Sequence, residues 1–119
     1  MGKVRIKDKK HLEEIFKRFA EAEGDEFNSD LIIEGNSDLT FGQLIETCEA
    51  LGYENLLLEQ DFVEDPQSHC DTFYIDIIGI KKIKIDIEGN RNDFVWFFGG
   101  RRAEELTLEG DGTMRIYFD

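Results

Sequence analysis

Residues 73–88 read Phe-Tyr-Ile-Asp-Ile-Ile-Gly-Ile-Lys-Lys-Ile-Lys-Ile-Asp-Ile-Glu, and apolar side chains recur there at every second position except at Gly79 and Lys81. This period of two is typical of a β-strand that buries one face. Two strands joined at Gly79 fit usual strand lengths better than one long strand bent there, and both interpretations predict a sheet. The apolar residues that share one parity are Phe73, Ile75, Ile77, Ile83, Ile85 and Ile87.

Other apolar segments predict the remaining strands of this sheet. Residues 94–98 are apolar at every position, which predicts a central strand buried on both faces and ended by Gly99 and Gly100. The dipeptide Asp111-Gly112 is a strong turn signal, so residues 105–108 and 114–118 should form a hairpin. Further strands are predicted at residues 3–6 and 56–63, and residues 30–34 should form a short strand or a buried turn.

A first amphipathic helix is predicted over residues 9–23. Asp8 is a suitable N-cap, and Gly24 is a suitable residue to end the helix in the left-handed conformation. The spacing i, i+3, i+4, i+7 defines one apolar helical face, which comprises Leu12, Ile15, Phe16 and Phe19.

A second helix is predicted to begin after Thr40. Thr40 and Gln43 have the spacing of a capping box, in which each side chain satisfies a backbone N–H group of the other residue. Gly52 stands at the position expected for the end of the helix. The apolar face comprises Phe41, Leu44, Ile45 and Cys48.

Helices early in the chain and strands late in it predict a single α+β domain over residues 1–119. Its two amphipathic helices should pack on one face of a mainly antiparallel sheet of five or six strands. The predicted core comprises Leu12, Ile15, Phe16, Phe19, Leu44, Ile45, Cys48, Ile75, Ile77, Ile85 and Trp96.

The charges are strongly segregated along the chain. Residues 19–80 contain sixteen acidic residues and neither lysine nor arginine, whereas all 14 basic residues lie outside this stretch. The net charge of −13 disfavours contact with DNA, RNA or an anionic membrane, because phosphate binding needs clustered cations. A basic protein is therefore the expected partner.

The sequence also bears on location. No apolar run approaches the length of a membrane span, and residues 1–5 lack the apolar segment of a secretory signal. We therefore expect a cytoplasmic protein. Two cysteines are too few for a disulfide framework, so free thiols are expected.

Adjacent reactive side chains occur at His69, Cys70 and Asp71. An imidazole can hold a thiol as the nucleophilic thiolate, which leaves a small enzyme that uses His69 or Cys70 as one alternative. However, the side chains of sequence neighbours usually point apart. The interpretation we favour is a polar loop, over residues 64–71, that exposes a histidine and a cysteine without any catalytic role.

Metal and phosphate sites are not expected, nor is a cofactor. Asp61, Glu64, Asp65 and Asp71 could surround a hard cation, but their spacing differs from that of a calcium-binding loop, so solvated acids are the simpler interpretation. Residues 99–102, Gly-Gly-Arg-Arg, lack the spacing of a phosphate-binding loop.

These observations predict a non-enzymatic acidic binding protein of inhibitor or immunity type. It would neutralise a basic protein surface, such as that of a nuclease or toxin, and nucleic acid mimicry is one form of this activity. We call the residues expected to contact the partner the docking acids: Glu54, Glu59, Asp61, Glu64, Asp65 and Asp71.

A self-associating structural domain is the second alternative. In this interpretation the open face of the sheet would pair with a second copy and form a homodimer. The residues predicted to line that face are Tyr74, Ile78, Ile80, Val95 and Phe97.

Overall fold

The computed structural model describes residues 2–34, 38–66, 70–78 and 104–118. The helices are α1 (Lys9–Glu23), α2 (Phe41–Leu51) and α3 (Gln60–Glu64), and a 3-10 turn spans Tyr53–Asn55. The strands are β1 (Lys3–Arg5), β2 (Ile32–Glu34), β3 (Leu39–Thr40), β4 (Leu56–Glu59), β5 (Thr72–Asp76), β6 (Glu105–Leu108) and β7 (Thr113–Tyr117). The predictions for Gly79, for the strand at 94–98, and for Ile80, Ile85, Val95, Trp96 and Phe97 lie outside the described residues.

Helix α1 has the predicted bounds and the predicted caps. The Asp8 side chain accepts a hydrogen bond of 2.9 Å from the His11 backbone N–H, which satisfies a donor that the helix itself cannot. Gly24 has a φ of 71°, and its N–H donates to carbonyls of the last turn. A side chain at this φ would be strained, so glycine is the residue that fits this C-cap.

Helix α2 begins with the predicted capping box. The Thr40 hydroxyl accepts from the Gln43 N–H at 3.2 Å, and the Gln43 side-chain oxygen accepts from the Thr40 N–H at 2.9 Å. At the other end, the buried Asn55 amide donates to the Leu51 carbonyl at 2.8 Å. Side chains therefore satisfy backbone groups at both ends of this helix.

Replacing Thr40 with alanine should lower the free energy of unfolding by about 1 kcal/mol, because the Gln43 N–H loses its acceptor. Urea denaturation monitored by circular dichroism measures this change. Thr107, exposed on β6, provides the control, since Thr107→Ala removes a hydroxyl that caps no helix. Equal destabilisation by both substitutions would show that the capping box adds nothing.

The main sheet has five strands in the order β1-β4-β5-β7-β6, and each neighbouring pair is antiparallel. Leu58, Phe73 and Ile116 lie side by side across three strands, and each is fully buried. The adjacent row of Leu57, Tyr74 and Arg115 projects from the opposite face, since side chains alternate along a strand. A separate hairpin pairs β2 with β3. The α+β class with a five-stranded antiparallel sheet is thus confirmed.

Most of the predicted core residues are buried in one continuous cluster with this sheet. Ile45 and Ile77 are only partly buried and pack against its margin. Phe16 lies at the centre of an aromatic group, with its ring centroid 5.4 Å from that of Phe41 and 5.7 Å from that of Phe62. The predicted core residues confirmed as buried are Leu12, Ile15, Phe16, Phe19, Leu44, Cys48 and Ile75.

The strand predicted over residues 56–63 is wrong in its second half. Strand β4 ends at Glu59, and α3 follows directly. Gln60 and Asp61 are both exposed, which ends the apolar run, and the helical turn carries Phe62 back onto Phe16 and Phe19. The chain thus buries Phe62 in a helical turn and does not continue β4 as a paired strand.

Candidate protein-docking surface

Helix α3 presents three of the docking acids to solvent. Asp61, Glu64 and Asp65 are exposed, and their spacing of i, i+3 and i+4 places them on one side of a helical turn. The Asp65 N–H donates to the Asp61 carbonyl at 3.0 Å, which closes that turn. Phe62 points into the core from the other side. The same turn that buries this phenylalanine therefore groups the three carboxylates.

Two more docking acids lie beside α3. Glu59 ends β4, and its pKa is raised by partial burial and by the nearby charges of Asp71 and Asp61, while Arg115 opposes the rise. The Asp71 carboxylate accepts from the Thr72 hydroxyl at 2.9 Å, and its backbone carbonyl accepts from the Phe118 N–H at 2.8 Å. The end of β4, α3 and the start of β5 thus bring five docking acids into one region.

Glu54 lies apart from this group. It belongs to the 3-10 turn before β4, whereas Glu59 ends that strand. The length of β4, Leu56–Glu59, therefore separates the two residues along the chain.

Arginines contact the acidic segment, residues 54–65, through its backbone. Arg5 Nη1 donates to the Glu54 carbonyl and Arg18 Nη2 donates to the Val63 carbonyl, each at 2.7 Å. Charge segregation in the sequence gave no sign of these contacts, since neither arginine lies within residues 19–80. The fold therefore places an arginine from β1 at the start of the acidic segment and an arginine from α1 near its end.

Basic side chains form ion pairs elsewhere in the fold. Lys3 pairs with Asp111 at 2.7 Å and with Glu109 at 3.7 Å. Arg5 pairs with Asp76 at 2.9 Å, and Arg115 pairs with Glu105 at 3.6 Å. None of these four carboxylates is a docking acid.

Cys70 is buried, and the prediction that its side chain is exposed in a loop is wrong. The residue lies two positions before β5, and its Sγ lies 3.8 Å from the Thr72 carbonyl oxygen. Burial raises the pKa of the Cys70 thiol, and burial raises the pKa of Cys48 to about 12. A thiol that stays protonated is a poor nucleophile. His69 lies outside the described residues.

Both thiols should react slowly with Ellman's reagent in the native protein at pH 8. With a pKa of about 12, only about one Cys48 thiol in ten thousand is ionised at this pH, and burial also blocks access. The absorbance of released thionitrobenzoate measures the reaction, and protein unfolded in guanidinium provides the control with both thiols reactive. Immediate reaction of one thiol in the native protein would contradict this burial.

The predicted open sheet face is partly covered. Tyr74 is only 7% exposed to solvent, and the Lys3 ammonium lies 4.5 Å from the centre of its ring. Ile78, by contrast, is 76% exposed. The prediction that Tyr74 is available for pairing with a second copy is therefore wrong, because β1 places a lysine over it.

A groove of about 280 Å³ lies between α1 and α2. Phe27 and Phe41 contribute apolar surface, and Lys9 and Glu13 line the α1 side. Arg18, which contacts α3, lies about half a helical turn around α1 from Lys9, so the groove and the docking acids occupy different sides of this helix. Sequence reasoning did not find the groove, since its walls join residues from three segments.

Residues 2–34, 38–66, 70–78 and 104–118 contain no group of three or more His, Cys, Asp or Glu side chains placed to hold a metal ion. No helix in the same ranges is both long and apolar enough to cross a membrane. Comparison of the chain with protein-family models, with curated proteins and with solved structures finds no match. A function must therefore be inferred from the chemistry of this surface.

Proposed function

We propose that the protein is a non-enzymatic acidic binding protein, of inhibitor or immunity type, that neutralises a basic protein surface. The observation that supports this most directly is the grouping of five docking acids around α3. Four of them are exposed and Asp71 is half-buried. The five are Glu59, Asp61, Glu64, Asp65 and Asp71.

The electrostatics of the group favour a cationic partner. Carboxylates close enough to raise the pKa of Glu59 repel one another, and an incoming cation relieves that repulsion. A net charge of −13 adds a long-range attraction that increases the rate of encounter with basic surfaces. Nucleases and other nucleic acid-binding proteins carry such surfaces where they bind phosphates, so they are the partner class we propose, with nucleic acid mimicry as one mode of inhibition.

A cytoplasmic location is part of this proposal. Cys48 and Cys70 are both free, and reduced thiols are the usual state in that compartment.

A self-associating domain is the second candidate, and the exposure of Ile78 and Leu108 favours it. These side chains are 76% and 56% exposed, and large apolar groups in contact with water are candidates for burial against a second copy. Sedimentation velocity distinguishes the two candidates, because a dimer that persists in high salt supports self-association through apolar surface.

The test of the proposal is a binding panel with the intact protein immobilised. Solutions of basic proteins are passed over it at low and at physiological ionic strength. The panel contains ribonucleases, deoxyribonucleases and bacterial toxins that do not form pores, and acidic proteins of similar size serve as controls. We expect at least one basic enzyme to bind, to lose activity, and to bind more weakly as salt rises. Competition by duplex DNA identifies a partner bound through its nucleic acid site. Absence of binding to every basic member, or binding that is independent of salt, would contradict the proposal.

A further inference from the structure

Helix α3 is poorly stabilised by its own sequence. It has five residues, which is far below the length at which an isolated helix is stable in water. Glu64 and Asp65 lie at its C-terminal end, where the helix dipole disfavours negative charge. Asp61 and Asp65 are like charges four positions apart, which also opposes the helix. Gln60 Nε2 donates to the Glu64 side chain at 2.9 Å within the helix, but an exposed i, i+4 pair of this kind adds little stability. Contacts from outside α3 must therefore hold it in place.

Three such contacts are present. Phe62 packs against Phe16 and Phe19, with ring centroids 5.7 and 6.0 Å apart. The Gln60 N–H donates to the Gly2 carbonyl at 3.0 Å, which ties the start of α3 to the residue before β1. Arg18 Nη2 donates to the Val63 carbonyl at 2.7 Å, near the end of the helix.

The Arg18 contact stabilises the C-terminal end of α3, where the acidic residues are unfavourable. A guanidinium that donates to a carbonyl of the last turn satisfies an acceptor that the helix leaves open, and its charge complements the dipole. Arg5 makes the equivalent contact with the Glu54 carbonyl at the start of the acidic segment. Both arginines thus hold the backbone of the acidic segment through hydrogen bonds to its carbonyl groups.

We propose that Arg18 is a positioning residue for partner binding. By holding the backbone of α3, Arg18 keeps Asp61, Glu64 and Asp65 in the arrangement that the partner contacts. This inference rests on the proposed function. An arginine is then required for good binding to a basic partner, which charge alone does not predict.

Long-range electrostatics and positioning give opposite expectations for loss of this arginine. Arg18→Gln makes the protein more negative, so electrostatic attraction alone predicts equal or faster association with a cation. Positioning predicts weaker binding and faster dissociation, because part of the binding free energy is then used to order the carboxylates. Lys10→Gln is the matched control, since Lys10 is also exposed on α1 and its loss changes the net charge equally.

Hydrogen exchange measured by mass spectrometry tests the contact without any partner. In Arg18→Gln, the amides of residues 60–65 should exchange roughly tenfold faster than in the wild type, because the end of α3 frays. The amides of α2 should be unchanged, which distinguishes local release from global destabilisation. Arg18→Lys should restore part of the protection, and Lys10→Gln should match the wild type. Unchanged exchange at residues 60–65 in Arg18→Gln would overturn the positioning role.

Binding of a nona-arginine peptide, followed by surface plasmon resonance, tests the link to function. Dissociation from Arg18→Gln should be roughly three- to tenfold faster than from the wild type, without slower association, and Arg18→Lys should be intermediate. Equal dissociation rates from Arg18→Gln and Lys10→Gln would show that the Arg18 contact has no role in binding. A wild-type protein that does not bind the peptide contradicts the proposed function itself, whereas unchanged exchange rejects the positioning role alone.

Discussion

Replacing Phe16 with alanine lowers the free energy of unfolding by about 3–5 kcal/mol, the largest loss of stability we expect from a single truncation here. The ring is fully buried and lies within 5.7 Å of the rings of Phe19, Phe41 and Phe62. Its removal leaves a cavity among three rings from three helices, which a rigid core fills only in part. Urea denaturation followed by circular dichroism measures the change.

Phe27 provides the matched comparison. Its ring contacts that of Phe41, with centroids 5.0 Å apart, but the residue is only half-buried. Phe27→Ala should therefore cost clearly less than Phe16→Ala. Ile77→Ala should fall near the lower end of a range of about 2–5 kcal/mol, since Ile77 packs at the margin of the core. Equal costs at Phe16 and Phe27 would show that the aromatic group is not the centre of stability.

The second large effect concerns association with a basic partner. Changing Asp61 to Asn, Glu64 to Gln and Asp65 to Asn together should slow association roughly tenfold at low ionic strength and flatten its salt dependence. The fold should stay intact, because all three side chains are exposed and the substitutions preserve their shapes.

Stopped-flow association at two ionic strengths measures this effect. The control carries neutral amides at Glu21, Glu23 and Glu26, which are also exposed and change the net charge by the same amount. If the control slows association as much as the α3 variant, the net charge decides binding and α3 has no special role. If the α3 variant associates like the parent at both ionic strengths, α3 is only a solvated surface.

Local chemistry explains which parts of the fold were predictable. The bounds of α1 follow from Asp8 and Gly24, because capping needs particular side chains within a few residues. Likewise, Asp111-Gly112 marked the turn of the β6–β7 hairpin, and the parity of Phe73 and Ile75 marked the buried face of β5. Each of these signals acts between residues that are close in sequence.

The errors all involve contacts between distant residues. Residues 60–64 form a helix because Phe62 meets Phe16 across the core, which no local pattern reveals. Tyr74 is covered because β1 brings Lys3 over it. The docking acids were found from charge density along the chain, but the contacts that fix their backbone come from Arg5 and Arg18 in the basic N-terminal part.

The position of β7 determines when the sheet can be completed during synthesis. β7 pairs with both β5 and β6, so it is an interior strand, although it is the last strand in the described part of the chain. The hydrogen bond from Lys3 to Asp111 likewise cannot form until Asp111, 108 positions later, has been synthesised. Until residues 113–117 leave the ribosome, Phe73 and Ile75 lack their neighbours Ile116 and Met114. The nascent chain therefore carries an unpaired apolar strand edge, and chaperone protection at this stage would limit its aggregation.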